Sequence, residues 1–445
     1  MTSSANEAMP PVAILLGGKG TRLGLQGVPK PMVPFLGRPL LERTVEQLAA
    51  QGCKRIVFLT GHLGEVIEQA FGDGSRYGVS IDYCAEEVPL GTARATAAAR
   101  AALGDEFLLL YGDVVFDIDL ARFLRAGREN GGDGTLFVHP NDHPYDSDLI
   151  ERDDTNRITR FLAKPHAADL LARNLVNAGL YYLRPTIFDA IPQEGDLPDW
   201  GRDVFPHAVA SGYQLHAYSS AEYIKDIGTP ARLAKAERHV TAGIVGARAR
   251  SRPQRAVFMD RDGVINREIN GVHTPAALEL VPRAAETIAA INQSAFLSIV
   301  ATNQPDIAKG FFTAGDLDQV HAALERSLSE AGAYVDDILY CPHHPESGHP
   351  GEIAELKRVC DCRKPQDGML RQAAERHNID LARSYMIGDR AADMAAGKKC
   401  GATTILVHRN AGASLPDDAR DCPDADHIAL DLAEAWHIIQ EDRQQ

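Results

Sequence analysis

The sequence predicts an α/β fold arranged as two domains. Two stretches far apart in the chain begin alike, with an apolar strand pattern running straight into a polar or glycine-rich turn: PVAILLGGKGTRLG at Pro11–Gly24 and RAVFMDRDGVIN at Arg255–Asn266. After each, short apolar runs alternate with longer amphipathic segments; RIVFLTG and EFLLLYGDVV mark the first half, FLSIVATNQ and RSYMIGD the second. Strands alternating with helices point to parallel, Rossmann-like sheets covered by helices on both faces. Length agrees, since 445 residues exceed one ordinary core.

The segment Val240–Arg255, VTAGIVGARARSRPQR, is small, basic and weakly patterned. The expected division is therefore a disordered 1–10, a first domain at 11–240, a linker at 241–254, a second domain at 255–437 and a tail at 438–445. No repeat of solenoid period is visible.

Composition narrows the classes. Hydrophobic residues at 44% with 24% charged residues are those of a globular protein. The net charge of −15 argues against general nucleic-acid binding, which needs a basic footprint. Anionic small substrates stay open, because a few local Lys and Arg residues and a bound cation reverse the field within one cleft. No apolar run approaches the ~20 residues that cross a bilayer. The start, MTSSANEAMPP, has neither a basic nor an apolar leader region, so no secretory signal is expected. Seven cysteines, an odd number, do not form a disulfide framework. A cytoplasmic enzyme is the expectation, and a homo-oligomer is left open.

In the first domain, Gly17, Gly18, Gly20 and Gly24 follow the strand Ala13–Leu16. Glycines there let backbone N–H groups approach an anion, and a following helix N-terminus adds partial positive charge. The spacing does not fit the Walker pattern, and a glycine-rich turn alone is often only a tight turn. Its company raises it. Arg22 and Lys30, the latter held between Pro29 and Pro31, add two cations nearby. LLLYGDVV ends a strand at Asp113, where a carboxylate at the C-terminal edge of a parallel sheet suits a divalent metal. Asp226 in KDIGTP is a second candidate, which otherwise caps a turn before Gly228. Lys164 is either a ligand or a solvated loop charge.

These pieces, in order GGKGTRLG, PKPM, GHLGEVIEQAFGDGSRYGVSIDY, EEVPLGTA, YGDVVFDID, AKP, NAGLYYL and DIGTP, resemble the sugar-1-phosphate nucleotidyltransferase family over residues 11–240. The resemblance implies a nucleotide-diphospho-sugar transferase fold. It implies that Gly17, Gly18, Gly20 and Thr21 cradle the nucleotide phosphates, with Arg22 on the leaving pyrophosphate. Gly91 and Thr92 would sit near base and ribose, and Lys30 and Lys164 would grip the sugar phosphate. Asn177 and Gly179 would line the sugar pocket, and Asp113 and Asp226 would hold Mg²⁺. A sugar phosphate oxygen would attack the α-phosphorus of a nucleoside triphosphate, driven by positioning and charge neutralisation. Two departures stand out: Ala163 where many relatives carry Glu, and Arg94 where they carry Gly.

In the second domain Asp260 and Asp262 end an apolar strand, and residues i and i+2 of extended chain face one side. Two carboxylates so close favour a divalent metal, since repulsion otherwise raises a pKa. Thr302, Lys364 and Asp389 follow, with Asp393 one helical turn beyond Asp389 as a supporting or helix-face residue. Asp-x-Asp-Gly alone is also a calcium-type loop or a turn. With three further motifs in order it resembles the haloacid dehalogenase phosphatase superfamily over 255–437. That implies Asp260 as nucleophile, Asp262 as acid and then base, and Thr302 and Lys364 on the phosphoryl group. Mg²⁺ would be bound by Asp260, Asp389 and the main-chain carbonyl of Asp262.

CPHHP at Cys341–Pro345 and CDCRKP at Cys360–Pro365 place three cysteines and two histidines close together. Cys341 and His343, and Cys360 and Cys362, are i, i+2 pairs that each present two donors to one side. Three thiolates and an imidazole suit a closed, tetrahedral, structural Zn²⁺. His344 would point away. A metal-free thiol cluster and a redox pair are the alternatives. The zinc loop, with FMDRDGVINREINGVHTP, ATNQPDIAKGFFT, YCPHHP, CDCRKPQDGML and YMIGDRAADM, resembles the heptose-1,7-bisphosphate 7-phosphatases, with histidinol-phosphate phosphatases as runner-up. Asn303, Arg363 and Lys364 would contact substrate by that resemblance. Pro305, Asp306 and Lys309 depart from the family's more usual residues.

The two resemblances join, because a 7-phosphatase makes the heptose 1-phosphate that a guanylyltransferase consumes. The expectation is a bifunctional enzyme using a nucleoside triphosphate (GTP) and heptose phosphates to form GDP-D-glycero-α-D-manno-heptose for a bacterial surface glycan. The rivals are a transferase for another sugar, such as mannose 1-phosphate, fused to a generic phosphatase, and a sensor with one inactive domain.

Overall fold

The computed structural model describes residues 8–17, 27–193, 197–408 and 422–442. They fall into two compact units. One is drawn from Met1–His139, Tyr145–His166 and Leu175–Gly246, the other from Pro140–Pro144, Ala167–Asn174 and Ala247–Gln445.

The first unit is built on a nine-stranded sheet. Val12–Leu15 lies at its centre, parallel to Arg55–Thr60 on one side and Phe107–Tyr111 on the other, with Ser80–Ala85 beyond Arg55–Thr60. The three inner strands read as near-continuous apolar runs because both faces are covered, whereas Ser80–Ala85 is a partly exposed, mixed strand. Val12, Ile14, Ile56, Phe58, Leu108 and Leu110 pack into one core, and Ala13, Val57, Leu59, Phe107 and Leu109 into another. This is the two-residue period of a strand dividing its side chains between two layers. Truncating the fully buried Phe58 to Ala would cost about 3–5 kcal/mol.

An all-parallel sheet is the expectation for this half, and the structure departs from it. Val176–Leu183 runs antiparallel to Phe107–Tyr111 and to Gly134–His139, and Leu149–Arg152 runs antiparallel to Ile158–Leu162. The reason is the connection: Arg152 and Ile158 are joined by a tight turn, and a parallel pair needs a crossover of a dozen or more residues. A separate two-stranded ribbon pairs Val114–Asp117 with Tyr223–Asp226, aligning Asp226 with Val114.

The second unit carries six parallel strands in the order Asp337–Cys341, Phe296–Asn303, Arg255–Met259, Tyr385–Gly388, Thr403–Val407, His427–Ala429. Here the parallel expectation holds. Val257, Met259, Phe296, Val300, Ile387 and Ile405 share one core beneath the helices Ala284–Asn292 and Leu432–Asp442. Because all strands run the same way, Asp260, Asn303, Cys341 and Asp389 reach one edge, where ligands of open α/β sheets bind. The helix Ala314–Glu330 starts at Thr313 with a capping box to Asp316. Within this unit Arg173 pairs with Glu325 at 2.9 Å and Asp318 at 2.8 Å, and Arg326 donates to the Leu170 carbonyl at 2.7 Å. Arg248, inside the stretch expected to link the domains, is buried and pairs with Asp336 at 2.9 Å.

Candidate active sites

In the second unit, Asp260 directly follows its strand and donates its N–H to the Ile387 carbonyl at 2.9 Å. The Lys364 ammonium, 3% exposed, lies 3.0 Å from Asp260 Oδ1 and 2.5 Å from Asp393 Oδ1. It also donates to the Ala301 carbonyl at 2.7 Å. Oxygens of Asp260, Asp389 and Asp393 lie within 4.8 Å of one another. Two of the three acids therefore bind one ammonium directly, and Asp389 has Arg390 as its nearest cation.

Burial pushes the Asp260 carboxyl up to about 7; Lys364 opposes the rise, and Asp393 and Asp262 add to it. Asp389 rises to about 8, again chiefly by burial, with Asp260 and Asp393 adding to it. Lys364 goes up as well: burial works against its charge, but Asp260 and Asp393 outweigh burial. The lysine thus stays charged while the acids cannot all ionise. Asp389 Oδ1 is buried without a hydrogen bond among the described residues, the Arg390 Nε standing 3.8 Å away. A cluster of hard oxygen donors short of positive charge fits a divalent cation such as Mg²⁺, held by Asp260 and Asp389. Gly263, at φ +84°, permits the approach: a Cβ there would stand 2.0 Å from Asp389 Oδ2.

The carboxylate of Asp262 has a different surrounding. The fully buried Arg261 donates to it at 2.8 Å, Gln304 Nε2 at 2.8 Å and Asn266 Nδ2 at 2.9 Å. Gln304 also donates to Thr302 Oγ1 at 3.0 Å, linking the two motif residues. Asn303 exchanges two hydrogen bonds with the Lys364 main chain, at 3.0 and 3.1 Å, so its side chain positions the lysine.

Cys341, His343, Cys360 and Cys362 converge as the spacing predicts. Their Sγ atoms are 3.2–3.6 Å apart, and His343 Nδ1 is 3.2 Å from Cys362 Sγ and 3.6 Å from Cys341 Sγ. A tetrahedron with ~2.3 Å Zn–S bonds has S···S edges of about 3.8 Å, so one Zn²⁺ fits after slight expansion. Hydrogen bonding from Cys341 first, and then from Cys360 and His343, pulls the Cys362 thiol down to about 5 against burial. A lowered thiol favours the thiolate, the form that binds metal. The Arg358 guanidinium, a donor only, sits 2.9 Å from His343 Nε2. With a metal on Nδ1, Nε2 carries the ring proton, so this contact would have to open. Arg363 donates to the His343 carbonyl at 3.3 Å, tying the clamp to the residue before Lys364.

In the first unit, Gly18, Gly20, Thr21 and Arg22 lie outside the described residues. Gly17 follows the central strand, and its Cα lies 3.4 Å from where a Cβ on Gly61 would be. Lys30, in the short turn Lys30–Met32, forms an ion pair with Asp113. Ile227 N–H donates to the Asp113 carbonyl at 2.9 Å, which brings Asp226 beside Asp113 across the ribbon. Asp226 pairs with Arg232 at 2.7 Å and also accepts from the Gly228 N–H at 3.4 Å. Both candidate metal carboxylates therefore have basic partners. Their oxygen chemistry suits Mg²⁺, which would have to compete with those partners.

Gly91, at φ +78°, opens the helix Gly91–Ala98, and the Thr92 hydroxyl donates to Asp199 at 2.9 Å and accepts from Trp200 N–H at 3.0 Å. Thr92 thus spends its hydroxyl on the 199–200 segment. Arg94 donates to the carbonyls of Pro192 at 3.2 Å and Gln193 at 3.4 Å. Lys164 N–H donates to Asp148 Oδ1 at 3.2 Å, and its ammonium to the Asp146 carbonyl at 2.9 Å. Asn177 N–H donates to the Asp148 carbonyl at 3.0 Å, and Gly179, at φ +75°, lies against the Tyr111 ring.

Sequence reasoning passed over Asp148, Asp199, Arg261, Asn266 and Gln304, and placed Asp393 on a helix face or in support. Asp393 is 1% exposed and bonded to Lys364. Its i+4 spacing from Asp389 at a helix start was the available signal.

Residues 12–243 match the Nucleotidyl transferase family, and residues 361–435 match the HAD-hydrolase-like family. Over 235 residues the chain is 34% identical to the mannose-1-phosphate guanylyltransferase of Mycobacterium tuberculosis, an alignment covering 52% of this chain and 64% of that protein. Over 185 residues it is 36% identical to the D-glycero-beta-D-manno-heptose-1,7-bisphosphate 7-phosphatase of Salmonella typhi, covering 42% of this chain and 95% of that protein. The solved structure of HddC from Yersinia pseudotuberculosis, complexed with GMP-PN, is 26% identical with a TM-score of 0.45, covering 52% of this chain and all of that one. The chain belongs to the nucleotidyl transferase family and, through its second unit, to the haloacid-dehalogenase-like phosphatases, and is an enzyme of both classes on one polypeptide.

Proposed function

We propose that this chain carries out two consecutive steps of GDP-heptose formation. The second unit removes the 7-phosphate of D-glycero-D-manno-heptose 1,7-bisphosphate. The first transfers GMP from GTP to the resulting D-glycero-α-D-manno-heptose 1-phosphate, releasing pyrophosphate. The observation that carries this reading is the pairing itself: a unit alignable to nearly the whole of a heptose-bisphosphate 7-phosphatase shares a chain with a unit similar to a sugar 1-phosphate guanylyltransferase.

In the phosphatase, the Asp260 carboxylate attacks the phosphorus of the 7-phosphate as the bond to the sugar oxygen breaks. Asp262, held by Arg261, Gln304 and Asn266, gives its proton to the leaving alkoxide. It then takes one from the water that hydrolyses the aspartyl phosphate, and inorganic phosphate leaves. Lys364 and Thr302 neutralise the phosphoryl oxygens, and Mg²⁺, when bound by Asp260 and Asp389, supplies further positive charge there. Cys341, His343, Cys360 and Cys362 would hold Zn²⁺ in a structural part, fixing the loop that carries Arg363 and Lys364.

In the transferase, an oxygen of the sugar 1-phosphate attacks the α-phosphorus of GTP and the bond to pyrophosphate breaks. Lys30 and Lys164 hold the sugar phosphate, and Gly17, Gly18, Gly20, Thr21 and Arg22 take the triphosphate. Asp113 and Asp226 would hold Mg²⁺, which lowers the repulsion between the two phosphates. Gly91, Thr92, Asn177 and Gly179 shape the nucleoside and sugar ends. The similarity to a mannose-1-phosphate guanylyltransferase favours mannose 1-phosphate as the second reading of the acceptor.

The test supplies the full chain with the α and β anomers of heptose 1,7-bisphosphate, each nucleoside triphosphate and Mg²⁺, following phosphate and pyrophosphate. Phosphate from the bisphosphate, then pyrophosphate with GTP, is the expected result. No turnover in any combination would overturn the reading.

A further inference from the structure

Two carboxylates of the first unit stand close together yet differ in what they already hold. Asp199 is fully occupied. Its Oδ2 receives the Thr92 hydroxyl at 2.9 Å and the Tyr111 hydroxyl at 3.4 Å, and its Oδ1 receives the N–H groups of Gly201 at 2.9 Å and Arg202 at 3.1 Å. Among the described residues Asp148 receives one hydrogen bond, from Lys164 N–H at 3.2 Å. A Cβ on Gly201 would lie 2.5 Å from Asp148 Oδ2 and 3.5 Å from both Asn177 Nδ2 and Asp199 Oδ1, so these three side chains end around one point. Asn177 Oδ1 is buried without a hydrogen-bond partner among the described residues.

Apart from the Asn177 Nδ2 group, which also faces the Tyr181 hydroxyl, the cluster is rich in unused acceptors and poor in donors. A carboxylate offers about four lone-pair sites and an amide oxygen two. Asp148 is half-buried, and burial, with Asp199 adding to it, raises its carboxyl above the usual range despite the Lys164 N–H and the charges of Lys164 and His166. A phosphate brings no donors and would be repelled. A ring bearing several hydroxyl groups supplies what is missing. The order along the chain agrees, since the Lys164 ammonium turns to the Asp146 carbonyl while its own N–H anchors Asp148, placing a cation and an acceptor side by side.

We propose that Asp148 is the residue that selects the sugar at the nucleotidyl transfer site, by accepting hydrogen bonds from hydroxyl groups of the sugar 1-phosphate, with Asn177 Oδ1 as a second acceptor. This rests on reading the first unit as a sugar 1-phosphate site. A substrate lacking the contacted hydroxyl leaves the carboxylate unpaired, and sites built to bond a hydroxyl reject such analogues strongly.

The test uses the full chain with GTP and Mg²⁺, measuring pyrophosphate release with mannose 1-phosphate, heptose 1-phosphate and the 2-, 3- and 4-deoxy analogues of mannose 1-phosphate. Wild type should lose at least ~10²-fold in kcat/KM with one or two analogues. Asp148→Ala and Asp148→Asn should lose a similar factor with the parent sugars and little more with those same analogues, the loss lying in the sugar KM. GTP affinity by calorimetry and phosphatase turnover should stay within about twofold of wild type, which reports that both variants are folded. A deoxy-analogue profile in the variants identical to wild type, or equal losses with every sugar, would overturn the role of Asp148. Wild type inactive with every sugar 1-phosphate would overturn the transferase reading itself, and the proposal with it.

Discussion

The two sites balance their charge in opposite ways. In the first unit each candidate metal carboxylate already has its own cation, Lys30 for Asp113 and Arg232 for Asp226. In the second, Asp260 and Asp393 share Lys364, and the clustered Asp389 has, among the described residues, only Arg390 at 3.8 Å as an ion-pair partner. The first site is neutral by itself, so a metal must displace basic side chains and is best delivered together with a triphosphate that re-engages them. The second is short of charge until a cation enters. That difference predicts a standing Mg²⁺ site in the phosphatase and a nucleotide-dependent one in the transferase.

The largest effect should come from the zinc clamp. Zinc-finger-type sites contribute ~10–16 kcal/mol of apparent binding free energy, so chelation or Cys360→Ser should abolish phosphatase turnover and lower the unfolding temperature of the second unit. Nucleotidyl transfer should persist, and metal analysis of the native chain should return about one zinc. Next is Asp260→Asn, expected to cut phosphate release by about 10⁴-fold while pyrophosphate release continues.

Asp389→Asn would break the comparison most sharply. Removing an under-compensated buried carboxylate should stabilise the metal-free second unit by about 1–3 kcal/mol and erase its thermal response to Mg²⁺. Calorimetry with and without Mg²⁺ checks both. Asp337 tests a paired acid away from the clamp. Burial raises its carboxyl, but hydrogen bonds from His377 and Arg376 outweigh that and bring it to about 2, below the ordinary 3.8. A depressed carboxyl contributes stability above the unfolded value, and that contribution is lost as pH falls through the folded one. Asp337→Asn should therefore cost about 2 kcal/mol at pH 7, a difference that shrinks between pH 4 and 2 in denaturant titrations. The smallest effect is expected for Asp226→Asn in the absence of nucleotide. Its side chain is 39% exposed, and such a pair contributes under about 1 kcal/mol.

What could be read from the sequence follows the range of the contacts. Asp260, Asp262, the i, i+2 zinc pairs and the CRKP lysine are local patterns, and the parallel sheet brings them to one edge. The support for Asp262 was half visible, since Gln304 follows Thr302 by two residues, but the buried guanidinium of Arg261 folding back on its neighbour was not. Asp148, Gly201 and Asp199 meet across some fifty residues of sequence, and the Thr92–Asp199 bond spans 107; no spacing rule reaches that far. The antiparallel part of the first sheet had two overlooked cues: the mixed, charge-bearing strands Leu149–Arg152 and Ile158–Leu162, and the short turn between Arg152 and Ile158.

The most direct test of the account is ³¹P NMR of the intact chain with heptose 1,7-bisphosphate, GTP and Mg²⁺ in one tube. The account predicts inorganic phosphate first, then pyrophosphate and a nucleoside-diphosphate sugar in matching amounts, with both later signals absent in Asp260→Asn until heptose 1-phosphate is added. Pyrophosphate and sugar nucleotide formed by Asp260→Asn from the bisphosphate alone would contradict it.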